Sequence, residues 1–142
     1  MGKFRFLEDV AIADAAFEAQ GKTLEELFAT CALATFEVMA NTKRVEPKKK
    51  IKIELEHEKI DNLLFDWLAE LIYLKDAKEM FFGKFDLKIA KKNKYILRGQ
   101  VFGEKIDYKK HRVKVDVKAV TLHLFEVKKV RNNWKARVVL DI

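Results

Sequence analysis

A chain of 142 residues with one cysteine and one proline is long enough to bury its own core without disulfides or a structural metal, and a lone thiol makes no internal bridge. It contains no serine, which excludes a Ser-His-Asp triad, and it lacks a Walker loop, a GxGxxG turn and any Cys/His cluster, which removes the common nucleotide and zinc sites. The net charge of +7 is unevenly spread, with 3 basic and 7 acidic side chains in residues 1–42 against 26 and 15 in the rest, so an acidic N-terminal segment meets a basic body suited to RNA, to an acidic protein, or simply to solubility.

In chain order, Lys3 to Leu7 alternates charge and bulk as a short strand does. A loop with Glu8 and Asp9 follows, and Asp14 opens a second alternating run in which Ala15, Phe17 and Ala19 share a face until Gly21. Thr23-Leu24-Glu25-Glu26 has the Thr-x-x-Glu form of a capping box, so a helix starts there. Leu24, Leu27, Phe28, Cys31, Thr35 and Val38 recur at helical spacing through about Met39, which makes Cys31 a small buried hydrophobe.

Asn41 to Lys50 is a polar connection holding Pro47, and Ile51, Ile53 and Leu55 then mark a one-sided strand. A second helix is predicted from about Lys59 to Leu74, with Ile60, Leu64, Trp67, Leu68 and Leu71 as its buried face. Asp66 and Glu70 interrupt its apolar run, which is also too short to span a bilayer. With no signal-peptide core at the N-terminus, the sequence predicts a cytoplasmic protein that does not enter a membrane.

From Phe81 the pattern is all strand. Phe85, Leu87 and Ile89 alternate, Lys91 to Lys94 turns, and Tyr95, Leu97 and Val101 return; Gly103 to Lys110 is another polar connection. Arg112 to Lys118 alternates charged even positions with Val113, Val115 and Val117, as a half-exposed strand would. After Ala119 the parity flips to Val120, Leu122 and Leu124, so either a bulge re-aims the strand or both faces are covered. A turn at Arg131-Asn132-Asn133 precedes a last run of Trp134, Ala136, Val138 and Leu140. The expected fold is α+β, two helices packed on a largely antiparallel sheet, forming a single domain over residues 1–142.

Three histidines are present. His57 and His111 sit among charged residues and read as solvated, and His123 adjoins the apolar run and reads as a core histidine with a neighbouring partner. The constellation with more chemistry is acidic. Asp141 lies within a residue of the α-carboxylate of Ile142, and such a pair repels itself unless a cation or basic group lies between. If Asp14 joined them, the donors would be oxygen only, the preference of Ca²⁺, Mg²⁺ or Mn²⁺. The sequence by itself does not bring Asp14 to Asp141, and a solvated strand end is the plain alternative.

Several blocks in order make the chain resemble the archease family: Ala13-Asp14 before a strand ending at Gly21, the Thr23-Leu24-Glu25-Glu26 helix start, Phe36-Glu37-Val38-Met39, Leu63-Leu64-Phe65-Asp66-Trp67-Leu68, Gly103-Glu104, the stretch Asp116 to His123, and Leu140-Asp141-Ile142. The resemblance implies an accessory protein, not an enzyme, that promotes guanylylation and multiple turnover of the tRNA-splicing RNA ligase. It implies a divalent cation, Ca²⁺ ahead of Mg²⁺ or Mn²⁺, held by Asp14 and Asp141 with Ile142 as a third ligand, and Lys118, Asp116 and His123 facing the partner or a phosphate. It also implies a chaperone-like effect on a tRNA methyltransferase. The chain departs from the family pattern at Ala11-Ile12, where His-Thr is frequent, at Ala16 in place of glycine, and at Leu122 in place of an aromatic. These changes leave a metal with fewer supporting donors.

Two other functions compete. Direct tRNA binding would use Lys48 to Lys50, Lys91 to Lys94 and Lys109 to Arg112, although these stretches lack interleaved aromatics for stacking. A metal-dependent hydrolase built on Asp14, Asp141 and Lys118 would need a general base and a pocket that the sequence does not show.

Overall fold

The computed structural model describes residues 2–8 and 14–142, so the Asp9 loop, Ala11-Ile12 and Ala13 lie outside the described residues. Nine main elements follow one another: β1 (Lys3–Leu7), β2 (Asp14–Gly21), α1 (Leu24–Met39), β3 (Lys49–His57), α2 (Ile60–Lys78), β4 (Met80–Lys91), β5 (Tyr95–Lys105), β6 (Ala119–Val130) and β7 (Asn133–Asp141). The strands form two sheets, one of four strands in the order β1-β2-β7-β6 and one of three in the order β3-β5-β4. Every pairing is antiparallel. The α+β class and the antiparallel pairing agree with the expectation, with the strands distributed over two sheets.

Local chemistry explains the helix boundaries. The Thr23 hydroxyl accepts from the Glu26 amide at 3.1 Å, satisfying a first-turn donor that the helix itself leaves unpaired. Helix α2 runs past Leu74 because its buried stripe continues to Lys75, and it stops where Glu79 turns left-handed at φ 52°. Helix α1 packs on β2 and β4, one strand of each sheet, and α2 on β3 and β6. A single apolar cluster therefore unites both sheets, with Phe17, Phe28, Phe36, Trp67, Phe82 and Leu97 among its fully buried members. Cys31 is wholly enclosed, and that burial pushes its thiol pKa up, which makes it unreactive packing as expected.

The C-terminal half departs from expectation at identifiable points. Strand β5 continues through Lys105, so Gly103 and Glu104 belong to a ladder and not to a connection. Residues 112–118, expected as a strand, pair with no strand as a ladder. Their amides are used elsewhere: Lys114 donates to the Met39 carbonyl at 2.7 Å and Lys118 to that of Asp141 at 2.8 Å. The stretch crosses the end of α1 outside either sheet, so its period-two alternation does not mark a paired strand. His111 is enclosed, not solvated, because the turn before Arg112, itself at φ 53°, directs it inward.

The parity flip ends in a bulge, but a few residues later than the flip. Thr121 pairs with Val139 and Glu126 with Arg137, so residues 122–125 stand opposite Val138 alone. Leu122 and Leu124 are consequently 75% and 51% exposed instead of buried, and His123 is exposed instead of in the core. Leu124 holds φ 53°, an uncommon conformation for a leucine, and Arg137 Nε donates to its carbonyl at 2.8 Å.

Candidate functional site

Sheet order explains the geometry of the acidic pair. Strand β7 lies between β2 and β6, and both neighbours are antiparallel to it. The start of β2 and the start of β6 therefore both meet the end of β7, giving one row across three strands: Asp14, Asp141, Ala119. Directly opposed residues project to the same side of a sheet with Cβ atoms roughly 4.5–5.5 Å apart. Asp14 and Asp141 are thus a like-charged cross-strand pair, which is destabilising unless something positive is shared between them. Ala119 adds only a methyl group to the row and leaves the Asp141 side open.

The next row on the same face is Ala16 opposite Val139, 3% and 1% exposed yet outside the main apolar cluster. An apolar floor beside two half-buried carboxylates lowers the local dielectric and strengthens both their repulsion and their attraction for a cation. Ile142 packs its side chain on the core, which fixes the strand end one residue beyond Asp141. Lys118 is exposed and tied to the row by the hydrogen bond from its amide to the Asp141 carbonyl.

The donor set fits a hard cation. Two carboxylates and nearby main-chain oxygens suit Ca²⁺, Mg²⁺ or Mn²⁺. No group of three or more His, Cys, Asp or Glu side chains able to hold a metal occurs among the described residues. The chain alone would supply a partial shell, to be completed by water or by a partner.

The other expected site residues go elsewhere. Asp116 accepts from Lys75 Nζ at 2.5 Å, and the same ammonium reaches Asp76 at 2.8 Å and the Val117 carbonyl at 2.9 Å. Lys75 is 2% exposed, and this arrangement ties residues 116–117 to α2 along the wall of a cleft of about 480 Å³. The sequence carried a signal for it, since Leu64, Leu68 and Leu71 lead at helical spacing to a lysine at the next buried position. His123 sits in the bulge of β6, apart from the acidic row.

A second buried polar group was also missed. His111 Nδ1 accepts the Asp107 amide at 3.0 Å, so Nε2 carries the proton that it donates to Glu104 at 2.9 Å. Glu104 is 7% exposed, and it further accepts from the Glu46 amide at 2.8 Å and from Lys110. Burial alone would raise the Glu104 pKa, but the bonds from Glu46, His111 and Lys110 together outweigh it and hold the carboxyl at about 2. A folded value below the ordinary 4.5 stabilises the protein above pH 4.5 and is lost as pH falls toward 2. In urea titrations across that range, the wild-type midpoint is expected to fall more steeply than that of Glu104→Gln. Parallel slopes would show that the carboxylate carries no such linkage.

These features define a small α+β protein whose second and last strands meet in an acidic pair. The chain belongs to the archease family: its sequence matches the Archease protein family (MTH1598/TM1083) over residues 4–142. It is 44% identical to the archease of Pyrococcus furiosus over 132 residues, covering 92% of this chain and 93% of that protein. It is 41% identical to the archease of Methanothermobacter thermautotrophicus, covering 100% of each. The solution structure of Methanobacterium thermoautotrophicum protein 1598 superposes with a TM-score of 0.84 at 40% identity over 98% of each chain. The crystal structure of the Thermotoga maritima archease, described there as a possible chaperone, shares the fold at a TM-score of 0.62 and 19% identity, over 97% of this chain and 98% of that one. No helix among the described residues is long and apolar enough to cross a membrane.

Proposed function

We propose that this protein is a cytoplasmic accessory factor, not itself an enzyme, that activates the tRNA-splicing RNA ligase by promoting its guanylylation and repeated turnover. The observation that supports this reading is the opposition of Asp14 and Asp141 across β2 and β7. Asp14 and Asp141, with a main-chain oxygen of Ile142, would hold a divalent cation, Ca²⁺ ahead of Mg²⁺ or Mn²⁺. Such an ion supplies charge neutralisation at a nucleotide phosphate. The residues of this chain keep the two carboxylates at one spacing and leave the Ala119 side of the row free for the ligase. Exposed Lys118, beside that row, adds positive charge where phosphate would approach.

The test separates this function from a structural role for the pair. Asp14→Asn and Asp141→Asn are expected to abolish stimulation in a single-turnover ligase guanylylation assay. Without divalent ions each variant should melt at or above the wild-type temperature, because the like-charge repulsion is gone. Divalent ions should raise the melting temperature of the wild type alone. Full stimulation by either variant would sink the assignment.

A chaperone-like role toward a tRNA methyltransferase is the second reading, favoured by one observation. Leu122 and Leu124 stand exposed on the bulge of β6, an edge strand of its sheet, where they would cover apolar surface on a protein partner.

A further inference from the structure

The outer face of the three-stranded sheet has the makings of a nucleic-acid platform, far in sequence from the acidic row. Register places Phe102 on the central strand β5 between Lys50 of β3 and Lys84 of β4. The next outward row is Lys52, Gln100, Asp86, and the one after it Glu54, Arg98, Lys88. Alternation sends Val101, Leu97 and Ile53 inward to the core, so these rows belong to the opposite, solvent-facing side. Lys50, Lys52, Lys84, Lys88 and Arg98 are all exposed, and none of them forms an ion pair among the described residues.

Phe102 is half-buried on the central strand, in the first of these rows, and the Lys84 ammonium lies 5.0 Å from its ring centroid. A hollow of about 290 Å³ lies over the next two rows, floored by Gly99 and bordered by Lys52, Gln100 and Arg98 together with Glu54 and Asp86. The basic stretches lack interleaved aromatics along the sequence, but one aromatic, Phe102, stands between lysines across the sheet, because neighbouring strands bring distant residues together.

We infer that this face binds single-stranded RNA, with one base stacked on Phe102, the Gln100 amide at a base edge, and Lys50, Lys52 and Lys84 at phosphates. An acidic peptide would use the lysines but not the aromatic face, which favours a nucleic acid. The charge pattern sets the strand's path. Glu54 and Glu56 lie toward the far end of the face and Asp86 beside Gln100, so the row free of carboxylates is Lys50, Phe102, Lys84. The strand therefore runs off the Lys50 end. Choosing RNA over DNA rests on the proposed RNA-ligase partner; affinity for a single strand does not.

The experiment uses the isolated full-length protein and a labelled 12-nucleotide oligouridine, read by fluorescence polarisation between 50 and 200 mM salt. Three neutralised phosphates predict a log–log salt slope of about −2. Phe102→Ala and Phe102→Leu should each weaken binding by about tenfold, since leucine keeps the bulk but not the ring. Lys50→Gln with Lys52→Gln should weaken binding and bring the slope to about −0.7, while Lys128→Gln on the other sheet should change neither. Thermal melts confirm folding of every variant.

Absence of binding, or binding that both phenylalanine variants retain, overturns the inference. Equal affinity for oligodeoxythymidine overturns the choice of RNA. Loss of ligase stimulation by Phe102→Leu with oligouridine binding intact would make the face a protein contact and overturn it as well. Ligase is absent from the binding assay, so its result is independent of the cation reading.

Discussion

Truncating Trp67 to alanine is expected to cost about 3–5 kcal/mol, a large share of the roughly 5–15 kcal/mol that holds a domain of this size together. Trp67 is fully buried, and its indole Nε1 donates to the Phe28 carbonyl at 3.0 Å. It therefore joins α2 to α1 by volume and by direction. Its ring also meets Phe85 of β4 edge-on at 6.4 Å, so the cavity would open where both helices face the three-stranded sheet. Collapse into that space is limited because the neighbours Leu63, Leu64, Leu68 and Leu71 are themselves fully enclosed in one helix. Trp67→Phe keeps much of the volume and loses the indole donor, so it should cost clearly less. Urea midpoints measure both. A Trp67→Ala midpoint within experimental error of the wild type would show that Trp67 is not a core anchor.

What could be read in advance follows from which properties are local. The helix start capped by Thr23, the helical stripe through Phe28 and Trp67, and the alternation in β2, β3 and β7 are each written in a short window, and the structure has them where expected. The chain between Arg112 and Lys118 alternates as cleanly as a real strand, yet its amides go to Met39 and Asp141. Periodicity reports the shape of the backbone and not its partner. His111 looked solvated because its neighbours in sequence are charged, although the groups that receive it, Glu104 and the Asp107 amide, are made available by a turn.

The candidate site shows the same division. Each aspartate could be named from the sequence, but their opposition depends on β7 inserting between β2 and β6, which no single segment encodes. Phe102 is the converse case. Its neighbours along the chain are Val101 and Gly103, and its lysine companions come from β3 and β4. The bulge at residues 122–125 was anticipated as one branch of the parity flip, but the exposure of its leucines was not. Apolar identity alone predicts burial, and this edge strand departs from that rule.

Gly103→Ala is the other change expected to have a severe effect, for a reason unrelated to backbone freedom, since no glycine among the described residues has positive φ. A Cβ at Gly103 would lie 1.9 Å from the Phe81 carbonyl oxygen, 2.8 Å from its carbonyl carbon and 2.9 Å from the Phe82 Cα. All three are main-chain atoms of β4, so no rotamer change relieves the contact. The strands would have to separate beside the irregularity between Phe82 and Lys84, withdrawing the buried Phe81 and Phe82 rings from the core. Overpacking of a well-filled interior costs about 1–3 kcal/mol where side chains can adjust, and here they cannot, so about 3 kcal/mol or more is expected. Glu104 is the next residue, so the shift should also disturb its bonds to His111 and the Glu46 amide. Gly99→Ala is the graded control, its nearest contact being 2.8 Å, and it should be the milder of the two. Soluble yield and urea midpoint report the order. A Gly103→Ala protein as stable as Gly99→Ala would mean that β4 and β5 can part at little cost, and that close strand approach is not what the glycine serves.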